Sequence, residues 1–154
     1  QSLRLKTFNK LKIQTKIILF FQSICMFLAG LTHIYSIIEN GFMSYKKSTP
    51  IFSQILWESL TFFDLLAAIL LITKPNIGLY LTLIILVIDI IHNNIFYIDE
   101  LYYNNLSLNE WVYKYWKILG QIIFGAFVFI TFKKNIQEIK KQLKYQYLFL
   151  YEYS

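Results

Sequence analysis

Four long apolar stretches separated by short polar breaks dominate the sequence. They cover residues 17–38, 51–73, 77–98 and 116–132. An α-helix rises about 1.5 Å per residue, so roughly 20 residues cross a hydrocarbon layer of about 30 Å. The first three stretches reach this length, and the shorter fourth is flanked by Tyr113, Tyr115 and Trp116, which suit a membrane interface. The pattern predicts one all-α domain, an integral membrane four-helix bundle.

The breaks predict how the helices connect. Lys74-Pro75-Asn76 followed by Gly78 is typical of a tight turn, so the second and third helices are expected to form an antiparallel hairpin. Residues 99–114 form a longer polar and aromatic connection. Within it, Ser107 and Glu110 have the spacing of a capping box, so the fourth helix is expected to begin near Leu108.

Composition and charge agree with a membrane protein. Of 154 residues, 56% are hydrophobic and only 16% are charged, whereas soluble domains average about 25% charged residues. A soluble all-α protein with apolar core helices is the weaker alternative, because residues 79–88 offer water no polar face except Thr82. The net charge of +6 comes from lysines and one arginine concentrated before the first helix and after the fourth. The positive-inside rule therefore predicts both termini on the cytoplasmic side of a bacterial inner membrane, or on the matrix side of an organelle inner membrane.

Both terminal segments are amphipathic, and the bilayer is their expected partner. In residues 3–16 and in the cytoplasmic tail 133–154, apolar residues recur at helical spacing with lysines between them. These basic residues are divided between two short tails, so no nucleic-acid partner is predicted. The last ten residues carry four tyrosines. We expect this end either to lie on the membrane or to dock on a partner chain.

The ionisable and amide residues inside the predicted spans are the candidate functional residues, because charged groups are costly in a bilayer centre. The candidates are His33, Glu58, Asp64, Asp89, His92 and Asn93. The helical rise puts the two histidines and Glu58 at similar depth toward the outer face, and it puts the two aspartates near the bilayer centre.

Helical periodicity predicts which residues share a face. Asp89, His92, Asn93 and Phe96 follow an i, i+3, i+4, i+7 pattern. The predicted line on the first helix is Gln22, Met26, Ala29, His33 and Ser36. On the second helix it is Gln54, Glu58 and Thr61, with Asp64 to one side, and on the fourth it is Gln121, Gly125 and Val128. Small residues that allow close helix approach are Ala29, Gly30, Gly120 and Gly125. We expect these lines to meet at the centre of the bundle.

Two interpretations of this cluster stay open. It is either a hydrogen-bond network that fixes helix register, or a polar site that binds a small hydrophobic molecule or quinone, or relays protons. A haem held by His33 and His92 is a third option, although Glu58 would occupy the space that the macrocycle needs. No metal site is predicted, since there is one cysteine and a single Asp89-x-x-His92 pair. Two acids on neighbouring helices could serve acid–base chemistry, but no nucleophile motif or phosphate loop accompanies them, so enzymatic activity stays an open question.

The middle of the chain resembles small four-helix membrane proteins of the DoxX-like type. The likeness is carried by Trp57-Glu58, Leu70-Leu71, Lys74-Pro75 and Gly78, with Gly30 preceding them in the first helix. The resemblance implies a four-helix bundle in the cytoplasmic membrane, sometimes associated with quinone-linked redox partners. The alternative function is a non-catalytic accessory subunit of a larger membrane complex, which would dock through the tail 144–154 and the loop 99–114.

Overall fold

The computed structural model describes residues 8–43, 50–103 and 107–152, and among these the side chains of all but residues 98–103, 114, 117 and 146–152. Four helices account for most of this chain: α1 (Ile13–Asn40), α2 (Ile51–Thr73), α3 (Pro75–Tyr103) and α4 (Leu108–Glu152). Each contains a segment that is long and apolar enough to cross a membrane. The predicted all-α four-helix fold is confirmed.

The helices alternate in direction, and each packs against the next one in the chain. We call the end of the bundle where α1 stops and α2 starts the Asn40 end, and the end where α2 turns into α3 the Lys74 end. Side chains from α1 also reach α4, since Gln22 Nε2 donates to Thr131 Oγ1 at 3.2 Å and the Phe21 and Phe127 rings meet edge to face. The four helices therefore enclose a common interior.

The α2–α3 hairpin is confirmed, and it depends on a close approach at Gly78. The turn is closed by the Lys74 N–H, which donates to the Leu70 carbonyl at 2.8 Å. A Cβ atom at Gly78 would lie 2.3 Å from the backbone nitrogen of Leu71. Because backbone cannot move aside as a side chain can, only glycine lets α3 pack this tightly on α2.

Of the other glycines predicted to lie at close helix contacts, two do and one does not. A Cβ atom at Gly30 would meet Leu65 at 2.8 Å, and one at Gly125 would meet Ile90 at 2.5 Å. Both therefore mark close helix contacts, as predicted. Gly120 has nothing within 4 Å of that position. Its prediction as a contact residue is wrong, because Gly120 lies on the exposed side of α4.

The connection between α3 and α4 is shorter than predicted. Helix α3 continues to Tyr103 and α4 begins at Leu108, so helix replaces most of the expected loop 99–114. The capping box is confirmed: the Ser107 N–H and hydroxyl donate to Glu110 Oε2 at 2.9 and 2.7 Å, and the Glu110 N–H donates to Ser107 Oγ at 3.3 Å. These bonds favour the carboxylate and hold the pKa of Glu110 below its ordinary value.

Helix α4 does not end at residue 132. It runs on to Glu152 with a kink at Tyr115, where φ is −114° and ψ is 22°. Ile136 and Ile139 are buried in the same apolar cluster as Leu11, and Lys134 Nζ donates to Gln14 Oε1 at 3.3 Å. The first part of the tail's apolar stripe therefore packs on the chain's own N-terminal segment. The tyrosine-rich end lies outside the described side chains.

The surface of the bundle is apolar and part of its interior is polar. Large hydrophobic side chains face outward on every helix, among them Phe20, Phe62, Ile84, Phe129 and Ile130. The buried polar residues are Thr15, Gln22, Ser53, Asp64, Thr82, Asp89, Asn93 and Asn135. This arrangement suits a lipid surround, in which polar groups must find partners inside the protein.

Candidate functional site

The polar face of α3 points into the bundle, as its spacing predicts. Asp89 and Asn93 are each 6% exposed, and His92 and Phe96 are half-buried beside them. The two buried residues are one helical turn apart, so Asn93 Nδ2 can donate to Asp89 Oδ1, at 2.9 Å. This hydrogen bond links the two buried polar residues on the interior face of α3.

Asn93 joins three helices. Its Oδ1 accepts the indole N–H of Trp57 on α2 at 2.9 Å, and its Nδ2 donates to Gln121 Oε1 on α4 at 2.9 Å. An indole nitrogen can only donate, so the amide oxygen must face Trp57 and both amide hydrogens are left for Asp89 and Gln121. We call Trp57, Asp89, Asn93 and Gln121 the Asn93 network.

Helix α2 is rotated from its predicted orientation. Its buried line runs through Ser53, Trp57, Leu60 and Asp64. The predicted line through Gln54, Glu58 and Thr61 is only half-buried. Sequence reasoning missed Trp57 as a site residue because the indole counts as apolar. The available signal was its N–H, which needs a partner when the ring is buried.

The acids on α2 and α3 come together with one histidine. His33 Nε2 on α1 lies 3.8 Å from Asp64 Oδ2, and Asp64 is almost completely buried. Asp64 also interacts electrostatically with Asp89 across the α2–α3 contact. Both aspartates predicted near the bilayer centre are buried, and an imidazole flanks Asp64.

Glu58 and His92 lie nearer the Asn40 end. Glu58 Oε1 accepts the Met43 N–H at 3.2 Å, whereas its buried Oε2 has no hydrogen-bond partner in the described chain. His92 packs edge to face on the rings of Phe52 and Trp57, with centroids 5.7 and 5.6 Å apart. Its Nε2 is also buried and, among the described residues, has no hydrogen-bond partner. These two atoms are unused hydrogen-bonding positions.

The six predicted residues thus fall into three groups. Asp89 and Asn93 are hydrogen-bonded, and His33 and Asp64 form a pair. Glu58 and His92 flank the Asn93 network, and Trp57 is the link, because it bonds to Asn93 and packs on His92. The arrangement can offer hydrogen bonds to a polar group and can hold protons on several carboxyl groups.

The residues do not fit a haem. A bis-imidazole haem needs both ring nitrogens free to reach one iron. Here His33 faces Asp64, and aromatic rings pack on His92 from α2 and from its own helix. No group of three or more histidine, cysteine or acidic side chains suited to a metal ion occurs among the described residues.

Four apolar membrane-length helices around a polar interior define a multi-pass integral membrane protein. Comparison of the chain with protein-family models, curated proteins and solved structures found no match. The resemblance to DoxX-like proteins stays a prediction.

Proposed function

We propose that the Asn40 half of the bundle is an intramembrane polar site that binds a small hydrophobic molecule with hydrogen-bonding oxygen atoms, such as a quinone. The observation that carries this proposal is the pair of buried, unused atoms, Glu58 Oε2 and His92 Nε2, beside the complete Asn93 network; neither atom has a partner within the described part of the chain. Nearly all buried polar groups have a partner. A ligand that bonds to both atoms would supply the missing hydrogen-bond partner.

The chemistry around these atoms suits a quinone head group. A neutral imidazole can donate through Nε2 to a quinone carbonyl, and the Glu58 carboxyl group can hydrogen-bond to a second oxygen of the head group. Phe52 and Trp57 supply flat aromatic surfaces beside His92. The apolar outer surface of the bundle suits the lipid phase in which such a ligand dissolves.

We propose further that the carboxyl groups accept or relay protons. Asp64 and Asp89 interact electrostatically, and His33 lies 3.8 Å from Asp64. Ionisable residues within membrane spans commonly line proton paths. These three side chains are therefore the candidates for a relay behind the ligand.

The ligand is tested with decylubiquinone. In a background with Trp111→Phe and Trp116→Phe, Trp57 is the single remaining tryptophan, so saturable quenching of its fluorescence reports binding at the site. His92→Phe and Glu58→Leu should each weaken binding about tenfold, the effect of one hydrogen bond of about 1.4 kcal/mol. Glu39→Leu, an exposed acid at the same end of the bundle, is the control. Unchanged affinity in both site variants would refute the ligand proposal.

The relay is tested separately in liposomes that contain a pH-sensitive dye. A potassium diffusion potential drives proton entry, and Asp64→Asn and Asp89→Asn are compared singly with wild type. We expect each amide to slow proton uptake, because an amide cannot exchange a proton in this pH range. Equal rates in wild type and both variants would rule out the relay.

The alternative is a non-catalytic accessory subunit, and one observation favours it. The Asn93 network joins three helices by bonds among its own members, as a structural network does. The proposed docking segments, the tail 144–154 and the loop 99–114, lie largely outside the described side chains. Purification in mild detergent distinguishes the functions: co-purifying membrane subunits that are lost on deletion of residues 144–154 would favour the subunit.

We propose the sidedness predicted from charge, with both termini in the cytoplasm or matrix. The support is the lysine-rich composition of residues 3–16 and 133–154, and within them Lys134 bonds to Gln14 at the Lys74 end. Single cysteines at Lys10 and Lys140 in a Cys25→Ser background test it. In intact cells or mitoplasts, both should resist a membrane-impermeant maleimide until the membrane is opened.

A further inference from the structure

The Lys74 half of the bundle contains three polar side chains that are completely buried. Gln22, Thr82 and Asn135 are each 0% exposed. Within the described chain, hydrogen-bond partners are missing for Gln22 Oε1, Thr82 Oγ1 and both amide heteroatoms of Asn135. These atoms lie on three different helices, and none belongs to the site described above.

The three side chains lie at similar depth in the bundle: Gln22 bonds to Thr131, one turn from Asn135, and the ring of Tyr80, two residues before Thr82, packs on Phe132 of α4. Leu19, Leu79 and Ile139 are completely buried members of a single apolar cluster. Gln22 follows Leu19 by three residues, Thr82 follows Leu79 by three, and Asn135 precedes Ile139 by four. Because α4 runs opposite to α1 and α3, going from the apolar residue to the polar residue moves about one helical turn toward the Asn40 end on all three helices. We call Gln22, Thr82 and Asn135 the amide layer.

Two hydrogen bonds support this placement. Gln22 Nε2 donates to Thr131 Oγ1 at 3.2 Å, and Thr131 is one turn from Asn135 on α4. On the other side, Ser23 Oγ donates to the Ala68 carbonyl at 2.8 Å, which sets α1 against α2 one turn from Asp64. Gln22 therefore lies within about one helical turn of Asn135 in depth, on the Lys74 side of the buried Asp64.

We propose that the amide layer binds ordered water inside the membrane-spanning bundle. Leaving a buried polar group unpaired costs about 1–3 kcal/mol, and this layer has four such atoms. The occupant must both donate and accept, because Asn135 presents an unused N–H₂ group and an unused carbonyl oxygen. It must also be small and neutral, since no charged side chain of the described residues belongs to the layer and its neighbours are packed leucine and isoleucine. Water meets these requirements and commonly bridges buried polar groups.

The test is hydroxyl-radical footprinting of the full chain in detergent micelles, with radicals made by X-ray radiolysis of water. Radicals born from a bound water label the side chains that touch it. Leu19, Leu79 and Ile139 should therefore be labelled several-fold faster than buried side chains without bound water. The double variant Thr82→Val/Asn135→Leu should reduce labelling at all three positions. The matched control, Thr32→Val/Asn94→Leu, changes the same residue types at exposed sites and should leave labelling unchanged.

The single variant Thr82→Val is measured in case the double variant does not fold. Valine has nearly the same shape as threonine, so this variant should keep the fold. It should reduce labelling at Leu79 while the thermal unfolding midpoint changes little. Equal, slow labelling of Leu19, Leu79 and Ile139 in wild type and in Thr82→Val would show a dry layer and overturn the proposal. This experiment involves neither Glu58 nor His92, so its outcome is independent of the ligand proposed for the Asn40 half.

Discussion

In the Asn40 half of the bundle the helices are joined by side-chain hydrogen bonds, whereas in the Lys74 half they are joined mainly by close packing. Asn93 of α3 bonds to Trp57 of α2 and to Gln121 of α4, each at 2.9 Å. At the other end, Gly78 brings α3 against the backbone of α2, and Leu71, Leu79 and Ile139 are completely buried. The difference matters because hydrogen bonds need particular atoms, while packing needs particular volumes.

This difference also separates stability from function. Polar groups whose bonds are satisfied by one another hold the helices in register and leave little capacity for a ligand. Polar atoms without protein partners, such as Glu58 Oε2, His92 Nε2 and the Asn135 amide among the described residues, are the places where an occupant gains most. The ligand site and the hydrated layer are therefore proposed where bonds are missing.

The largest expected effect is at Gly78, in the packed half. Gly78→Ala places a Cβ atom 2.3 Å from the Leu71 backbone nitrogen, so α2 and α3 must separate. We expect the free energy of unfolding to fall by about 3 kcal/mol, measured by reversible denaturation in mixed micelles. Gly120→Ala is the matched control, because its added Cβ meets nothing within 4 Å. Equal losses in the two variants would mean that close packing does not hold this end together.

The next effect tests the hydrogen-bonded half. Asn93→Leu leaves the Trp57 N–H, Asp89 and Gln121 without their common partner, and we expect a loss of about 2 kcal/mol. Asn94→Leu is the control, because Asn94 is exposed and its amide bonds only to the Ile90 carbonyl of its own helix. A loss no larger than that of the control would show that the Asn93 network contributes nothing to stability.

A smaller effect is expected where the two halves meet. Thr131→Val removes the acceptor of Gln22 Nε2, which joins α1 to α4 through a hydrogen bond of 3.2 Å, and should cost about 1 kcal/mol. Thr73→Val serves as the control, since its hydroxyl bonds only to the Ile69 carbonyl within α2. The same denaturation experiment measures both. If the control loses as much, the α1–α4 bond has no separate contribution.

Sequence patterns predicted most of the fold and part of the site. Long apolar stretches fix where α2 begins and ends, because a membrane span has a defined length and Pro50 and Pro75 bracket the helix. The helical period put Asp89 and Asn93 on one face. The scarcity of polar residues within the fourth predicted span drew attention to Gln121. These features follow from local geometry, which periodicity describes well.

The remaining features depend on contacts between distant parts of the chain. The rotation of α2 follows from Trp57, whose ring fills the interior while its N–H bonds to α3. The fourth apolar stretch ends at residue 132, whereas α4 continues to Glu152. Ile136 and Ile139 are instead covered by the N-terminal segment around Leu11. Which surfaces cover one another cannot be derived from spacing alone.

The smallest expected effect lies outside both halves, at the start of α4. Hydrogen bonds from Ser107 hold the pKa of Glu110 below its ordinary value of 4.5. A carboxyl group with a lowered pKa stabilises the folded helix start above its ordinary pKa, and this stabilisation is lost as the pH falls through the lowered pKa. Amide hydrogen exchange of the first turn of α4 should therefore lose protection on acidification, relative to Glu110→Gln measured at each pH. Glutamine keeps the capping box but does not titrate. Parallel curves for wild type and Glu110→Gln would show that the Glu110 charge has no part in starting α4, and the capping box would then act through hydrogen-bond geometry alone.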